Sequence, residues 1–215
     1  MEMSVQDVAQ SIGVSRRRVL QLISDGSMPA TKIGRVYVVD ERELDRPRYR
    51  SRPLSPTMAW SLIALLSGDE PQGLQATQRS RLQRYVGRLR ADDDASGLLA
   101  SWVRSRAQRL QYSAQPGTPD RLRADSRLTL SGISDPRSGL SAGHQVEGYL
   151  SPAVVDAVCR DHLLLPARQG NVIVHVTTRQ LAPPVPLGLV AADLADFGTP
   201  RESGRVAQLL AECLS

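Results

Sequence analysis

The sequence predicts an α+β protein in which a small module of helices and a hairpin precedes a larger mixed domain. Residues 4–45 contain two short helical patterns followed by a β-hairpin pattern. Residues 55–115 are dominated by helical periodicity, which predicts helices over 56–67, 77–91 and 95–111. Residues 116–215 alternate short apolar strands, among them 146–150 and 171–178, with helices. A chain of 215 residues has room for one domain of ordinary size and a small one. We therefore expect a module over 1–45, a linker over 46–54, and a C-terminal part that is helical first and α/β afterwards.

Two short helices are predicted at the start of the chain. Ser4 followed by Asp7 resembles an N-terminal capping box, and apolar residues then recur at helical spacing until Gly13. Ser15 is a good N-cap for a second helix that runs to about Ser24. Two short helices joined by a tight turn are typical of a helix-turn-helix.

A β-hairpin is predicted over residues 31–39, TKIGRVYVV, where β-forming residues flank Gly34 and Arg35. Asp40 then predicts the cap of a short third helix that contains Leu44. Added to the two helices, this hairpin predicts a winged helix-turn-helix, a fold that binds DNA. The hairpin would be the wing, which contacts the DNA backbone or the minor groove.

The second helix opens with three consecutive arginines, which cannot all be buried. In a helix-turn-helix this end of the helix faces the major groove, where arginine reaches guanine edges or phosphates. We expect base contacts from Arg16, Arg17 and Gln21. Lys32 and Arg35 on the hairpin and Arg18 on the helix are better placed for phosphate. Ser15, at the helix N-terminus, is a further DNA-contact candidate.

A basic segment follows the module. Residues 46–53, RPRYRSRP, contain four arginines and two prolines and have no apolar periodicity. Two interpretations stand side by side: an arm that follows the DNA backbone or enters a minor groove, and a solvated linker. The candidate contacts of the arm are Arg46, Arg48, Arg50 and Arg52, with Tyr49 among them.

The positive charge is concentrated in the middle of the chain. Residues 46–130 carry fifteen basic and seven acidic side chains, whereas the segments on either side are weakly acidic. All the basic residues except Lys32 are arginine, which suits phosphate binding, although a GC-rich genome also favours arginine. For the arginines at 79–90 and 104–109 we favour a solvated helix face over a second DNA site.

Residue patterns typical of catalysis or of metal binding are missing from the sequence. His144, His162 and His175 do not stand beside the partners of a catalytic triad, and His175 alternates with valines as a structural residue of a sheet. The run 92–94, three aspartates, predicts a helix cap rather than a metal site. We therefore expect no enzyme activity and no cofactor.

The two cysteines, Cys159 and Cys213, fall in predicted helices without zinc-site spacing, so neither a disulfide nor a metal site is expected. No apolar stretch approaches the length of a membrane span, and the N-terminus lacks the features of a signal peptide. These observations predict a cytoplasmic protein that does not enter the membrane.

The run DVAQSIGVSRRRVLQLISDGSMPATKIGRVYVVDERELD closely resembles the excisionase-like winged-helix modules related to the MerR regulators. The turn GVS, the helix SRRRVLQLI, the following MPA and the hairpin KIGR fall at the spacings of that family. The sequence departs from the family at Leu20, where an aromatic residue near the DNA backbone is common, and at Val38, where a wing arginine is common. Tyr37 stands where the family packs an aromatic residue against the core.

Three segments of the larger part resemble antitoxins of the AbiEi type. They are RPLSPTMAWSLIALLSG, RLTLSGISDPRSGL and LVAADLADFGTPRESGRVAQLLAE, in that order along the chain. This resemblance implies a mixed α/β antitoxin-like domain, repression of the protein's own operon, and a nucleotidyltransferase-like toxin as partner. A module of excisionase type is not the commonest N-terminal domain in that family.

Other functions remain alternatives to the DNA-binding antitoxin. The first is a transcriptional regulator whose C-terminal part senses a ligand or dimerises. A second alternative is a recombination directionality factor, but such factors are usually little longer than the N-terminal module. A third is an enzyme that modifies a partner, which nothing in the sequence favours. Because a lone small winged helix rarely binds DNA tightly, we expect a homodimer or cooperative binding at two half-sites of double-stranded operator DNA.

Overall fold

The computed structural model describes residues 2–11, 14–24, 28, 30–34, 36–40 and 51–214. The chain divides into two compact units, Met1–Pro47 and Arg48–Ser215. Each unit has an apolar core of its own. Within the described ranges, no helix is both long and apolar enough to cross a membrane.

In its described residues, the first unit contains two helices and a small antiparallel sheet with strand order β1-β3-β2. Both predicted helices and the predicted hairpin are present, and the hairpin pairs Lys32 with Tyr37 and Ile33 with Val36. Strand β1, which pairs with β3, was not predicted. The predicted third helix, with Leu44, lies outside the described residues. The elements are β1 (Glu2–Ser4), α1 (Val5–Ser11), α2 (Arg16–Ser24), β2 (Thr31–Ile33) and β3 (Val36–Asp40).

The predicted capping box at the start of α1 is confirmed. The backbone N–H of Asp7 donates to Ser4 Oγ at 3.2 Å, and the backbone N–H of Ser4 donates to Asp7 Oδ2 at 3.3 Å. These bonds satisfy backbone donors that a helix start leaves unpaired. Among the described residues, the helices and the sheet enclose six buried apolar side chains: Val5, Val8, Ala9, Val19, Met28 and Val39.

The second unit is built around a five-stranded sheet of order β5-β6-β8-β4-β7. Strands β6 and β8 are parallel, and the other neighbours are antiparallel. Its helices are α3 (Pro56–Leu66), α4 (Ala76–Ala91), α5 (Ala95–Val103), α6 (Thr118–Arg123), α7 (Val155–Asp161), α8 (Leu187–Ala195) and α9 (Pro200–Leu214). Its strands are β4 (Gln108–Ser113), β5 (Thr129–Leu130), β6 (Val146–Leu150), β7 (Leu165–Pro166) and β8 (Val172–Val176).

Helix α8 is the centre of the larger core. It is apolar on every side except at Asp193, and it packs against α3, α5 and α9. Helices α3, α4 and α5 therefore share one core with the C-terminal helices, and residues 115 and 116 mark no boundary in the structure. The boundary predicted there followed a change of periodicity in the sequence. Elements on both sides of that point nevertheless bury their apolar faces together.

One predicted helix is wrong in its extent. The helix expected over 95–111 ends at Val103, a 3₁₀ turn covers Arg104–Arg106, and Gln108–Ser113 forms β4. Leu110 and Tyr112 of β4 contact the second apolar cluster of the unit, and the strand pairs with β8 along its length. Sheet pairing therefore decides this segment, because its local sequence is compatible with either state.

Hydrogen bonds at the helix starts follow the sequence. The run of three aspartates caps α5, as predicted, since Asp94 Oδ1 accepts the backbone N–H of Gly97 at 2.9 Å. Ser55 caps α3 by accepting the N–H of Met58.

Both cysteines are free thiols on α7 and α9. Among the residues that the structure describes, no group of three histidine, cysteine, aspartate or glutamate side chains is arranged to hold a metal ion.

Asp125 ties the loop after α6 to the end of α7. Its carboxylate accepts bonds from Arg127 Nη2 at 2.6 Å, and its Oδ2 lies 2.8 Å from His162 Nε2. The hydrogen bonds from Arg127 hold the pKa of Asp125 well below its usual range, and His162 contributes in the same direction. A carboxyl group with a lowered folded-state pKa stabilises the fold above its unfolded pKa of about 3.9, and this contribution is lost on acidification.

We expect the Asp125→Asn variant to lose part of the acid dependence of stability. The melting temperature of the wild-type protein should fall as the pH drops from 5 to 3, and that of the variant should fall less. Tryptophan fluorescence reports on this unit, since Trp60 and Trp102 both belong to it. Asp161→Asn is the matched control, because Asp161 also bonds Arg127 but is 56% exposed. Equal falls in wild type and Asp125→Asn would contradict the expectation.

Candidate nucleic-acid interface

Helix α2 presents its first turn to solvent. Ser15 caps it, since its Oγ accepts the backbone N–H of Arg18 at 3.3 Å. Arg16, Arg17 and Arg18 are all exposed, while Val19 is fully buried in the core of the first unit. The buried valine fixes the rotation of the helix, so the three arginines remain outside.

Gln21 lies one turn after the arginines and is also exposed. Its Oε1 accepts a hydrogen bond from Arg18 Nη1 at 3.1 Å. The bond orients both side chains along the same exposed stripe of α2.

The hairpin carries one described cation. Lys32 is exposed on β2, and its Nζ lies 5.7 Å from the centre of the Tyr37 ring on the facing strand. Tyr37 is half-buried and packs on the core, in agreement with its predicted structural role. Ile33 and Val36, which flank the turn, are 54% and 55% exposed. This apolar tip was not predicted, because isoleucine and valine at these positions are ordinary strand-forming residues.

Several predicted contacts lie outside the described residues. These are Arg35 at the hairpin turn and Arg46, Arg48 and Arg50 in the basic segment. Arg52 is described and exposed. Its neighbour Ser51 accepts a hydrogen bond from Trp102 Nε1 at 2.8 Å, so the end of the predicted linker is attached to the second unit.

A family comparison bears on this geometry: the family model of a helix-turn-helix domain matches residues 2–46. The N-terminal unit is a helix-turn-helix domain. The comparisons found no matching curated protein and no matching solved structure. A helix-turn-helix domain indicates a DNA-binding regulator, in which the second helix is presented to the major groove. In this domain that helix is α2, on which Arg16, Arg17, Arg18 and Gln21 are exposed.

The second unit contains a buried polar network that was not predicted from the sequence. Arg106, in the 3₁₀ turn after α5, donates from Nη2 to Asp193 Oδ1 and to Asp196 Oδ2, both at 2.6 Å. Its Nε donates to Tyr149 Oη at 3.0 Å, and Tyr149 in turn donates to Asp193 at 2.7 Å. Ser131 also bonds Asp193. The network joins α5, β6 and α8 at the centre of the unit.

His175 belongs to the same buried layer. Its Nε2 lies 2.8 Å from Glu147 Oε1, and its ring stacks on Tyr149 with a centroid distance of 4.9 Å. Burial raises the pKa of Glu147, and the hydrogen bond to His175 opposes that shift. Burial also acts to lower the pKa of Arg106, but Asp196, Tyr149 and Asp193 outweigh it and raise the pKa.

This network is a structural connection and is inaccessible to a macromolecular ligand, because its members are buried. The predicted structural role of His175 agrees with its position. A usable signal was present in the sequence: Asp193 and Glu147 are single acidic residues inside apolar segments, LGLVAADLA and VEGYL. A lone charge in such a segment is retained only when a partner satisfies it.

We expect Arg106→Met to destabilise the second unit by about 3–5 kcal/mol, because it leaves two buried aspartates without their cation. The measurement is urea unfolding followed by tryptophan fluorescence. Arg160→Met is the control, because this substitution removes the same charge from an exposed position on α7. If the two variants have the same free energy of unfolding, the network is not what holds the helices to the sheet.

Proposed function

We propose that this protein is the DNA-binding antitoxin of a toxin–antitoxin pair, and that it represses its own operon. The observation that carries the DNA-binding half is the run of three exposed arginines on the capped first turn of α2. Backbone N–H groups at a helix start attract phosphate, and arginine adds bidentate contacts to guanine or to phosphate.

The roles within α2 follow from position. Arg16 and Arg17 stand at the first turn and reach base edges, and Gln21 follows one turn later on the exposed side. Arg18 is directed to phosphate together with Lys32 of the hairpin. In this proposal the hairpin is the wing, and its exposed apolar tip, Ile33 and Val36, supplies a shape contact with a groove wall.

The antitoxin half rests on the resemblance of the second unit to AbiEi-type antitoxins. The three segments that carry the resemblance form α3, the β5 region with its 3₁₀ turns, and α8 with α9. Helix α3, the 3₁₀ turns and α9 all contact α8, although the three segments lie far apart in the sequence. This shared packing supports reading them as one domain, with a nucleotidyltransferase-like toxin as the partner that the domain counteracts.

A DNA-binding titration tests the first half. We expect Arg16→Gln/Arg17→Gln to weaken binding to a duplex from upstream of the gene by at least about 10-fold, since each good base contact contributes about 1–3 kcal/mol. Sequence preference over a shuffled duplex should fall in the same measurement. Gln6→Ala/Gln10→Ala, two exposed residues of α1, is the control.

The same titration reports on assembly. Wild-type binding should be cooperative, because a homodimer on two half-sites is needed for tight specific binding by so small a domain. A one-to-one, non-cooperative isotherm would contradict a homodimer on DNA.

A growth assay tests the second half. The neighbouring gene is induced alone, with the wild-type protein, and with the full-length Arg16→Gln/Arg17→Gln variant. We expect the neighbour to arrest growth and both forms to restore it, because the substituted residues lie in the first unit. A harmless neighbour overturns the antitoxin function and leaves a regulator whose second unit dimerises or senses a ligand.

A further inference from the structure

Helix α4 carries five arginines and no acidic residue. All five, at positions 79, 81, 84, 88 and 90, are exposed. The apolar side of the helix, formed by Leu82, Val86 and Leu89, is buried in the core. The helix is therefore held firmly by one face while the others present only positive and neutral groups.

Three of these arginines share one face of the helix. Arg81, Arg84 and Arg88 are spaced by three and four residues, which places them in a row about 10 Å long. In the part of the chain that the structure describes, none of the three forms an ion pair with a carboxylate. A solvated structural face usually mixes charges of both signs, whereas this row is purely cationic.

Aromatic rings hold two of the guanidinium groups in place. Arg81 lies over the Tyr85 ring at 5.7 Å and bonds its hydroxyl through Nε, and Arg88 lies over the Trp102 ring at 5.1 Å. The two rings pack edge to face with a centroid distance of 4.7 Å. Stacking of this kind orders a guanidinium group while leaving N–H groups at its edge for an anion.

We propose that the face of Arg81, Arg84 and Arg88 binds the phosphate backbone of double-stranded DNA, as a second contact in addition to that of the helix-turn-helix domain. A duplex presents one phosphate charge for about every 1.7 Å of its axis, so a row of this length meets several phosphates. The proposal rests on the DNA binding proposed above.

The covalent connection favours DNA over an acidic protein as the occupant. Trp102, under Arg88, donates its Nε1–H to Ser51, where the chain from the helix-turn-helix domain reaches the second unit. DNA held by that domain is therefore tethered to this face by the chain itself, which raises its effective concentration there. The exposed Arg52 adds a further positive charge next to the attachment point.

The test compares full-length variants on two duplexes, one from upstream of the gene and one shuffled, by fluorescence anisotropy between 50 and 200 mM KCl. Arg81→Gln/Arg84→Gln/Arg88→Gln should reduce the slope of log affinity against log salt by about 2–3, at about 0.9 per phosphate contact. Wild-type affinity should then fall about 40-fold further than that of the variant over this range. The preference between the duplexes should not change, because phosphate contacts do not read sequence.

Two further variants make the result decisive. Arg121→Gln/Arg160→Gln/Arg168→Gln removes the same charge from exposed positions elsewhere and should leave the slope near that of wild type. Arg81→Lys/Arg84→Lys/Arg88→Lys keeps the charge and should keep the slope. If the α4 glutamine variant has the slope of the charge-matched control, the second contact is refuted.

A failure of the second contact can be distinguished from a failure of the proposed function. If Arg16→Gln/Arg17→Gln weakens binding and the α4 variant does not, only the second contact fails. If neither variant alters binding to either duplex, both proposed DNA contacts fail, and the α4 face is left to an acidic protein partner.

Discussion

The buried ion pair between Arg106 and Asp193 is the constraint on which the second unit depends. Arg106 sits in the turn between α5 and β4, and Asp193 sits in the middle of α8. Their side chains are 2% and 0% exposed, so neither charge can be satisfied by water. Removing charges from water is costly, and the cost is met here by several hydrogen bonds to the same two groups.

This arrangement fixes the path of the chain. Because Arg106 must reach Asp193, Asp196 and Tyr149 at once, the turn that carries it occupies one position against α8 and β6. The chain then enters β4 directly and pairs with β8. The helical part and the sheet are thus joined at a polar point inside an otherwise apolar core, which specifies a single register between them.

The first unit depends on local interactions instead. Its helices begin at a capping box and at a serine cap, and the unit itself spans only Met1–Pro47. A small core limits the stability that burial provides, so the caps and the hairpin pairing carry more of the fold. The first turn of α2 lies outside this core and is exposed, which is the feature that suits it to DNA binding.

Charge is distributed differently in the two units. The helix-turn-helix domain is nearly neutral overall but concentrates arginine at one helix end, whereas the second unit carries a cationic row on α4. In the functions proposed above, the domain supplies base contacts, which give specificity, and the α4 row supplies phosphate contacts, which give affinity that depends on salt.

The helix-turn-helix could be predicted from the sequence alone. Its caps, its three arginines and its hairpin are signals that act within a few residues, so α1, α2, β2 and β3 could be placed without any tertiary information. The same local signals placed α3, the aspartate cap of α5, and the strands β6 and β8.

Only the tertiary structure decided the end of α5, the strand β4 and the buried network. Gln108–Ser113 is a strand because β8 lies beside it, and Arg106 is buried because Asp193 lies 87 residues away in sequence but within 2.6 Å in space. From the sequence, Arg106 could not be distinguished from the exposed arginines around it. Burial and pairing between distant segments are properties of the whole core, and no local pattern encodes them.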